Sequence, residues 1–286
     1  MTTSSEALAY LRDLLRRRSA IVLDGTKDYL VESRLAPVAR ESGLASIDAL
    51  LLEVVKRNET GPAARKVIEA MTTNETSFFR DIHPWETLRK TLLPELVRAR
   101  RAQRRLRIWC AAASTGQEPY TIAMIIREHF PELASWDIQL LGTDINTAVL
   151  ERAAEGVFRQ HEVNRGLPAP MLVKYFERAG LDWQIRPEVR RMVVFKELNL
   201  IGRWSLFSTQ DLVFMRNVLI YFDVATKREI LRRTRENLEH DGYLVLGGAE
   251  TTWNIDEGYV PVQAGATVVY QPNPLDQQRR TAGAGR

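Results

Sequence analysis

The second half of the chain alternates short apolar segments with longer amphipathic ones, and this alternation constrains the fold more than any other feature of the sequence. The apolar segments are LRIWCAA, DIQLLGTDI, QDLVFMRNVLIYF, GYLVLGGAE and ATVVYQ. Between them, STGQEPYTIAMIIREHF, NTAVLERAAEG and ATKREILRRTRENLEHDG have the spacing of helices, and the last is expected to end at Gly242. Strands that alternate with helices predict an α/β fold with a mainly parallel, doubly wound sheet.

The beginning of the chain has helical patterns instead. Leucines recur at helical spacing from Leu8 to Leu15, Ser46 is a favourable N-cap, and Pro62 suits the first turn of a helix. We therefore expect an N-terminal helical domain of about four helices over residues 1–72.

Further changes in pattern divide the rest of the chain. Residues 73–90 carry small polar residues and paired aromatics, which are typical of a connector, and a helix is expected from Trp85 to about Arg104. The α/β pattern assigns residues 91–272 to a second domain. Short mixed segments interrupt that pattern at 157–197 and predict a small inserted subdomain. Residues 273–286 are expected to be disordered.

Cysteine and histidine usage limits the kinds of site that the chain can hold. The single cysteine, Cys110, excludes an intrachain disulfide and a Cys-x-x-Cys site. Four scattered histidines without a His-Glu-x-x-His motif argue against a zinc site. No apolar run approaches the ~18 residues that span a bilayer, and the N-terminus lacks the order of a secretion signal. The sequence therefore predicts a cytoplasmic protein without a metal and without membrane insertion.

The charge of the chain is unevenly placed. The formal net charge is +4, and arginines concentrate at Arg16–Arg18 and within residues 98–107. A run of charges is usually a solvated helix face, but it also suits an acidic partner, either nucleic acid or an acidic protein surface. Composition does not decide between these interpretations.

Polar residues follow the predicted strands where a nucleotide-type ligand would bind. The stretch RIWCAAASTGQEPYTIAM is an apolar strand, a turn of small residues and a helix, so a ligand can approach the N–H groups at the helix start. Asp144 ends the second strand, where an acid commonly binds ribose hydroxyls, and Arg216 and Asn217 follow the third. Plainer interpretations are a tight turn, an N-cap at Asp144 for the helix that starts near Asn146, and a salt bridge at Arg216.

In order along the chain, the segments TTNETSFFRD, STGQEPY, TDIN, NLI, MRNVLIYFD and GYLVLGGAE resemble the CheR family of chemotaxis protein methyltransferases. The resemblance implies a Rossmann-like methyltransferase sheet with a small antiparallel β subdomain at 157–197, preceded by an N-terminal helical domain. It also implies S-adenosylmethionine as cofactor, S-adenosylhomocysteine as product and no metal. The family's late Gly-His-Ser-Glu reads Gly247-Gly248-Ala249-Glu250 here, and Gln117 stands where the family usually has an acid.

The same resemblance implies the residues of the site. The cofactor-binding residues would be Asn74, Thr76, Arg80, Glu118, Asp144, Asn199, Leu200, Arg216 and Asn217. Asp144 would take the ribose, and Asn199 with Leu200 would lie near adenine. Arg80 and Tyr221 would be catalytic, with Arg80 holding the incoming carboxylate and Tyr221 orienting the substrate.

The implied reaction is the methylation of glutamate side chains on the cytoplasmic helices of methyl-accepting chemoreceptors. The loop around residues 178–182 is short for this subdomain, and in the family a short loop tends to mark enzymes that do not dock on a receptor's C-terminal pentapeptide. The implied enzyme is a monomer that binds no nucleic acid.

Three other interpretations stay open. A nucleic-acid methyltransferase would explain the arginines, although the Pro-Pro of base amino-methylating enzymes is missing from the chain. A degenerate family member that only senses the cofactor or acts as a scaffold would keep the fold without turnover. An NAD dehydrogenase lacks the glycine fingerprint it would need.

Overall fold

The computed structural model describes residues 3–25, 28–204 and 208–274. Of the tail predicted over 273–286, the part from 275 onward lies outside the described residues. Among the residues that are described, no helix is long and apolar enough to cross a membrane.

The N-terminal domain is built from helices whose apolar faces meet in one core. Its segments are α1 (Ser5–Ser19), α2 (Asp28–Glu41), a π-helical segment (Ala49–Val55) and α3 (Pro62–Met71). The Ser46 hydroxyl accepts a hydrogen bond from the Ala49 N–H at 3.1 Å, and Pro62 begins α3, as the sequence predicts. Fully buried side chains such as Leu11 and Leu50 fill the core. The predicted N-terminal helical domain is confirmed.

A helix between the connector and the sheet is offset from its predicted position. It runs as α4 (Ile82–Thr87), a π-helical turn (Leu88–Leu92) and α5 (Leu93–Ala99), whereas the sequence predicted a helix from Trp85 to about Arg104. Its apolar stripe ends at Val97, and the following residues, RARRAQRR, offer no large apolar side chain to bury. A helix without a buried face gains little stability, so it ends here.

The α/β domain follows from Arg105. In chain order its strands and α-helices are β1 (Arg105–Ala111), α6 (Gln117–His129), β2 (Asp137–Asp144), α7 (Thr147–Glu155), β3 (Val157–Phe158), α8 (Gln160–Asn164), α9 (Ala169–Tyr175), β4 (Phe176–Ala179), β5 (Asp182–Ile185), α10 (Pro187–Arg190), β6 (Val193–Glu197), β7 (Gln210–Met215), α11 (Val224–Glu236), β8 (Leu238–Leu246), β9 (Tyr259–Ala264) and β10 (Thr267–Pro272).

Within the described residues, seven of these strands form one sheet in the order β6-β2-β1-β7-β8-β10-β9. The strands from β6 to β8 are parallel, and β10 and β9 are antiparallel to their neighbours. Strands β2, β1 and β7 are adjacent in the interior of the sheet, with Cys110 opposite both Gly142 and Phe214. The predicted α/β fold with a mainly parallel sheet is confirmed. The carboxyl ends of these parallel strands therefore lie together at one edge.

The inserted subdomain ends earlier than predicted. Strands β3, β5 and β4 form a separate antiparallel sheet, but β6, which the sequence assigned to the insertion at 157–197, pairs in parallel with β2 in the main sheet. Gly142 on β2 explains this pairing. A β-carbon there would lie 2.8 Å from the ring of Phe195, so only glycine lets that ring pack across the strand.

Two further differences from the predicted elements lie near the end of the chain. Helix α11 ends at Glu236, and Gly242 lies inside β8 instead of ending the helix. Strand β9, which contains Pro261, was not among the predicted strands. Proline is tolerated there because β9 is the edge of the sheet, where an N–H on the outer side needs no partner strand.

Candidate functional site

One cavity lies at the carboxyl edge of the main sheet, against the N-terminal domain. All the site residues that the sequence predicts line this cavity. They are Asn74, Thr76, Arg80, Glu118, Asp144, Asn199, Leu200, Arg216, Asn217 and Tyr221. Residues from the connector, from four strand ends and from the loop after β7 are therefore brought together by the fold.

The turn between β1 and α6 forms the floor of the cavity with an unusual backbone. Ala112 and Ser114 have φ values of +57° and +50°, and Gly116 has a φ of +91°. Side chains larger than these would crowd such a left-handed backbone. The Ser114 hydroxyl donates to the carbonyl of Asn74 at 2.8 Å and fixes the connector over the turn.

Asp144 lies at the end of β2 with both carboxylate oxygens hydrogen-bonded. One oxygen accepts the N–H of Ser114 at 2.9 Å and the other accepts the N–H of Asn146 at 3.0 Å. Burial raises the pKa of Asp144, and these backbone N–H groups oppose that shift. The N-cap of α7 is Asn146, which accepts from the N–H groups of Ala148 and Val149, so the plainer interpretation of Asp144 as the cap is wrong.

The Arg216 side chain forms ion pairs and a hydrogen bond with other residues of the chain. Its guanidinium is 2% exposed and pairs with Glu118 at 3.0 Å and with Asp81 at 2.8 Å. It also donates to the carbonyl of Arg80 and lies over the Trp85 ring. Burial raises the pKa of Glu118, and the charge of Arg216 acts against that shift. The salt bridge expected in the plainer interpretation is present, and it ties the end of β7 to the connector.

Arg80 is held more loosely than Arg216. Among the described residues, its guanidinium donates to the carbonyl of Glu75 at 3.2 Å. The neighbouring Asn74 side chain bonds to the Thr72 hydroxyl at 3.0 Å. A cation with several N–H groups left over and a cavity beside it is suited to hold an anion.

The opposite wall links the predicted residues to the N-terminal domain. The Asn199 side chain donates to the carbonyl of Arg18 at 2.7 Å, and the carbonyl of Tyr221 accepts the N–H of Val22 at 3.2 Å. Leu200 is buried. Both Asn199 and Tyr221 thus depend on where the helical domain lies.

Sequence reasoning missed two contributions to this site. The N-terminal domain supplies part of the cavity wall, including Ile21, Leu23, Leu30 and Arg34. Glu250, after β8, accepts hydrogen bonds from the loop that follows β7. The acid at the end of the GYLVLGGAE strand is a signal for Glu250, whereas the wall residues carry none, because they are ordinary helix and turn residues in sequence.

The chemistry of the lining fits a ligand with polar and apolar parts. The lining includes the carboxylates of Glu118 and Asp144, and apolar surface from Ile145, which follows β2, and from Leu198 and Leu200, which follow β6. This set suits an amino group, a ribose and a flat base along one cavity. Over the described residues, no cluster of three or more His, Cys, Asp or Glu side chains is arranged to hold a metal ion.

Known proteins resemble the chain over most of its length. Family profiles described as CheR methyltransferase, all-alpha domain, and CheR methyltransferase, SAM binding domain, match residues 6–72 and 74–265. Chemotaxis protein methyltransferase 1 of Pseudomonas aeruginosa is 37% identical over 276 residues, covering 95% of this chain and 99% of that protein. The chemotaxis protein methyltransferase of Vibrio parahaemolyticus is 36% identical over 277 residues, covering 95% and 98%. Among solved structures, magnesium protoporphyrin IX methyltransferase from Synechocystis PCC 6803 reaches a TM-score of 0.36 at 14% identity, over 80% of this chain and 99% of that one, a likeness too distant to inform the site.

Proposed function

The chain belongs to the CheR family of S-adenosylmethionine-dependent chemotaxis protein methyltransferases, and from this premise we propose that it methylates glutamate side chains on the cytoplasmic helices of methyl-accepting chemoreceptors. The products are a glutamate methyl ester and S-adenosylhomocysteine. In this proposal the enzyme works in the cytoplasm as a monomer, without a metal, nucleic acid or membrane insertion.

The observation that supports this proposal best is the convergence of two kinds of residue on one cavity. Asp144, Glu118 and the apolar residues after β2 and β6 suit the cofactor, and Arg80 and Tyr221 line the same cavity. A cation and a phenol beside a cofactor site suit a carboxylate acceptor, because both groups donate hydrogen bonds to an anion.

S-adenosylmethionine, when bound, supplies an activated methyl group that the acceptor carboxylate takes up as an ester. A glutamate has a reference pKa of about 4.3, so it is ionised near neutral pH and needs no general base. In agreement with this, the described residues that line the cavity include no histidine and no cysteine. The task left to the chain is alignment. Arg80 holds the carboxylate through its guanidinium, and Tyr221 adds a hydrogen bond.

Receptor docking in this proposal does not require a C-terminal pentapeptide. The hairpin between β4 and β5 has a two-residue turn, Gly180 and Leu181, because Ala179 pairs directly with Asp182. Family members with a short loop here tend not to dock on the pentapeptide, and the turn of this chain is as short as a hairpin allows.

The test is transfer of labelled methyl groups from S-adenosylmethionine to receptor cytoplasmic fragments, with and without the terminal pentapeptide. A matched fragment carries alanine at its methylatable glutamates. We expect label in both glutamate-bearing fragments and its release as methanol by mild base. Label that resists base, or that enters the alanine fragment equally, would refute carboxyl methylation. Label confined to the pentapeptide-bearing fragment would refute only the docking proposal.

A further inference from the structure

One carboxylate holds the loop that follows β7. Glu250 accepts hydrogen bonds from the backbone N–H groups of Asn217 at 2.7 Å, Val218 at 2.9 Å and Leu219 at 2.7 Å. It also accepts the N–H of Gly247 at 2.8 Å. The Asn217 and Gly247 N–H groups share one carboxylate oxygen, and those of Val218 and Leu219 share the other.

This loop carries a large part of the cavity wall. Asn217, Val218 and Tyr221 line the cavity, and Arg216 precedes them. Asn217 has a φ of +58°, a left-handed conformation in which successive N–H groups can converge on one anion. Such a backbone is uncommon for a residue other than glycine and persists where surrounding contacts enforce it. Glu250 supplies those contacts and is not itself among the residues that line the cavity.

The loop after β8 packs closely against the loop after β7 at Gly247. A β-carbon on Gly247 would lie 2.7 Å from the Glu250 carboxylate and 2.9 Å from the Asn217 side-chain amide. Any residue other than glycine at 247 would therefore push the carboxylate away from the loop. Glu250 therefore holds the loop after β7 through its charge, and the lack of a side chain at Gly247 lets the carboxylate come close enough to do so.

We infer that Glu250 is a positioning residue for the methyl-transfer site, acting through the loop that presents Asn217 and Tyr221 to the cofactor and the acceptor. The inference rests on the proposed function for the acceptor and on the family for the cofactor. Charge-assisted hydrogen bonds are stronger than neutral ones, so a neutral amide cannot replace this carboxylate. The amide of a glutamine would also turn its own N–H groups toward the loop's donors.

The test compares the full-length protein with Glu250→Gln, Glu250→Asp and Gly247→Ala, and with Glu257→Gln as control. Glu257 is exposed in the same loop, so its variant removes the same charge without touching the loop after β7. The readouts are affinity for S-adenosylhomocysteine by calorimetry, thermal unfolding, and kcat and KM for a receptor fragment, all measured well below the unfolding temperature.

We expect Glu250→Gln and Gly247→Ala to bind S-adenosylhomocysteine at least about tenfold more weakly, with a lower kcat and an unchanged KM for the receptor. Glu250→Asp keeps the charge and should recover part of the affinity, and Glu257→Gln should match the wild type. If Glu250 only stabilised the fold, its substitution would lower the unfolding temperature and leave the affinity and kcat unchanged.

Wild-type affinity and kcat in the Glu250→Gln protein would overturn the inference. If that variant does not fold, Glu250→Asp and Gly247→Ala decide by the same readouts. Failure of the wild-type protein to methylate any receptor would refute the proposed function, yet the affinity for S-adenosylhomocysteine would still test Glu250.

Discussion

Arg216 and Arg80, which both line the cavity, differ in how many partners their guanidinium groups have within the protein. Arg216 is buried and pairs with Glu118 and Asp81, whereas the Arg80 guanidinium donates, among the described residues, to one backbone carbonyl. A guanidinium that is already paired gains little from another anion, while one with N–H groups left over can take a carboxylate. The acceptor should therefore depend on Arg80, and the integrity of the site on Arg216.

The substitution Arg80→Ala tests this division. We expect kcat for receptor methylation to fall by about 100-fold or more, because alignment of the carboxylate is lost, while the unfolding temperature stays close to that of the wild type. Arg80→Lys should recover little, since an ammonium does not offer the paired geometry of a guanidinium. The exposed Arg98→Ala serves as the matched control. Near-normal turnover of Arg80→Ala would rule out the assigned role.

Some of the site could be predicted residue by residue, and some could not. Asp144 and Arg216 were found because polar residues at the carboxyl ends of parallel strands face one crevice. The partners of Glu250 are backbone N–H groups, and these leave no mark in a sequence. Asp81, which pairs with Arg216, also has a positive φ of +57°, and no pattern in the sequence indicates this conformation.

At the scale of elements, the strands with continuous apolar runs were predicted well and those at the edges were not. The central β1, β2 and β7 are buried on both faces, so their sequences admit few other structures. The edge strands β6 and β9 are half-exposed, and their mixed sequences suit a loop or a second sheet as well. Their place is decided by contacts far along the chain, such as Phe195 over Gly142.

Arginines within residues 98–107 form ion pairs between elements of the fold. Arg100, at the end of α5, pairs with Asp211 on β7 and with Asp241 on β8. Arg107 pairs with Asp137 at the amino end of β2. These pairs join elements at the edge of the sheet away from the cavity, so this part of the positive charge stabilises the fold.

The substitution Asp241→Asn should show this role through its pH dependence. The hydrogen bond from Arg100 lowers the pKa of Asp241 below its usual 3.8. The carboxylate therefore contributes stability that is fully present above that pH and is lost as the pH falls through the lowered value. We expect the free energy of unfolding of the variant, measured with urea near pH 7, to be about 1 kcal/mol lower than that of the wild type. The loss is small because Asp241 is partly exposed to solvent.

That difference should shrink as the pH falls below 3.8 and disappear below the lowered pKa, where the carboxyl of the folded wild type is also neutral, like the amide. Asp182→Asn, in the hairpin of the subdomain, removes the same charge far from Arg100 and is the control for the loss near pH 7. A loss at pH 7 that persisted unchanged in acid would show that the Arg100 pair is not its source.

At the scale of the whole molecule, the helical domain is part of the site. The Glu69 carboxylate, on α3, accepts hydrogen bonds from the N–H and the hydroxyl of Thr147 at 2.9 Å and 2.6 Å. The Glu69 carbonyl accepts from Asn146, two residues after Asp144. These three bonds, together called the clasp, hold the helical domain against the start of α7, beside the predicted ribose position.

The substitution Glu69→Gln should therefore weaken cofactor binding from outside the cavity. We expect an affinity for S-adenosylhomocysteine about 2- to 10-fold lower, because the clasp loses part of its hydrogen bonding. Limited proteolysis should also show weaker protection of the segment between the domains by S-adenosylhomocysteine. The exposed Glu53→Gln, in the same domain, should behave as the wild type. Equal affinity and equal protection in Glu69→Gln would show that the clasp does not affect the site.

The distribution of positive charge over the molecule makes a separate prediction about the receptor. Arg16 and Arg18 are exposed at the end of α1, which leads into the cavity wall, whereas Arg101 and Arg105 are exposed at the amino end of β1. Receptor methylation helices are expected to be acidic, so the first pair should steer them toward the cavity, and the second pair lies at the opposite edge of the sheet.

Two double charge reversals that change the net charge equally separate steering from overall charge. We expect Arg16→Glu with Arg18→Glu to raise the KM for an acidic receptor fragment about tenfold at ~50 mM salt and less than about twofold at ~0.5 M, because salt screens exposed charges. Affinity for S-adenosylhomocysteine should stay unchanged, since neither side chain lines the cavity. Arg101→Glu with Arg105→Glu should leave the KM nearly constant. Equal effects of the two reversals would mean that net charge, and not a surface beside the cavity, attracts the receptor.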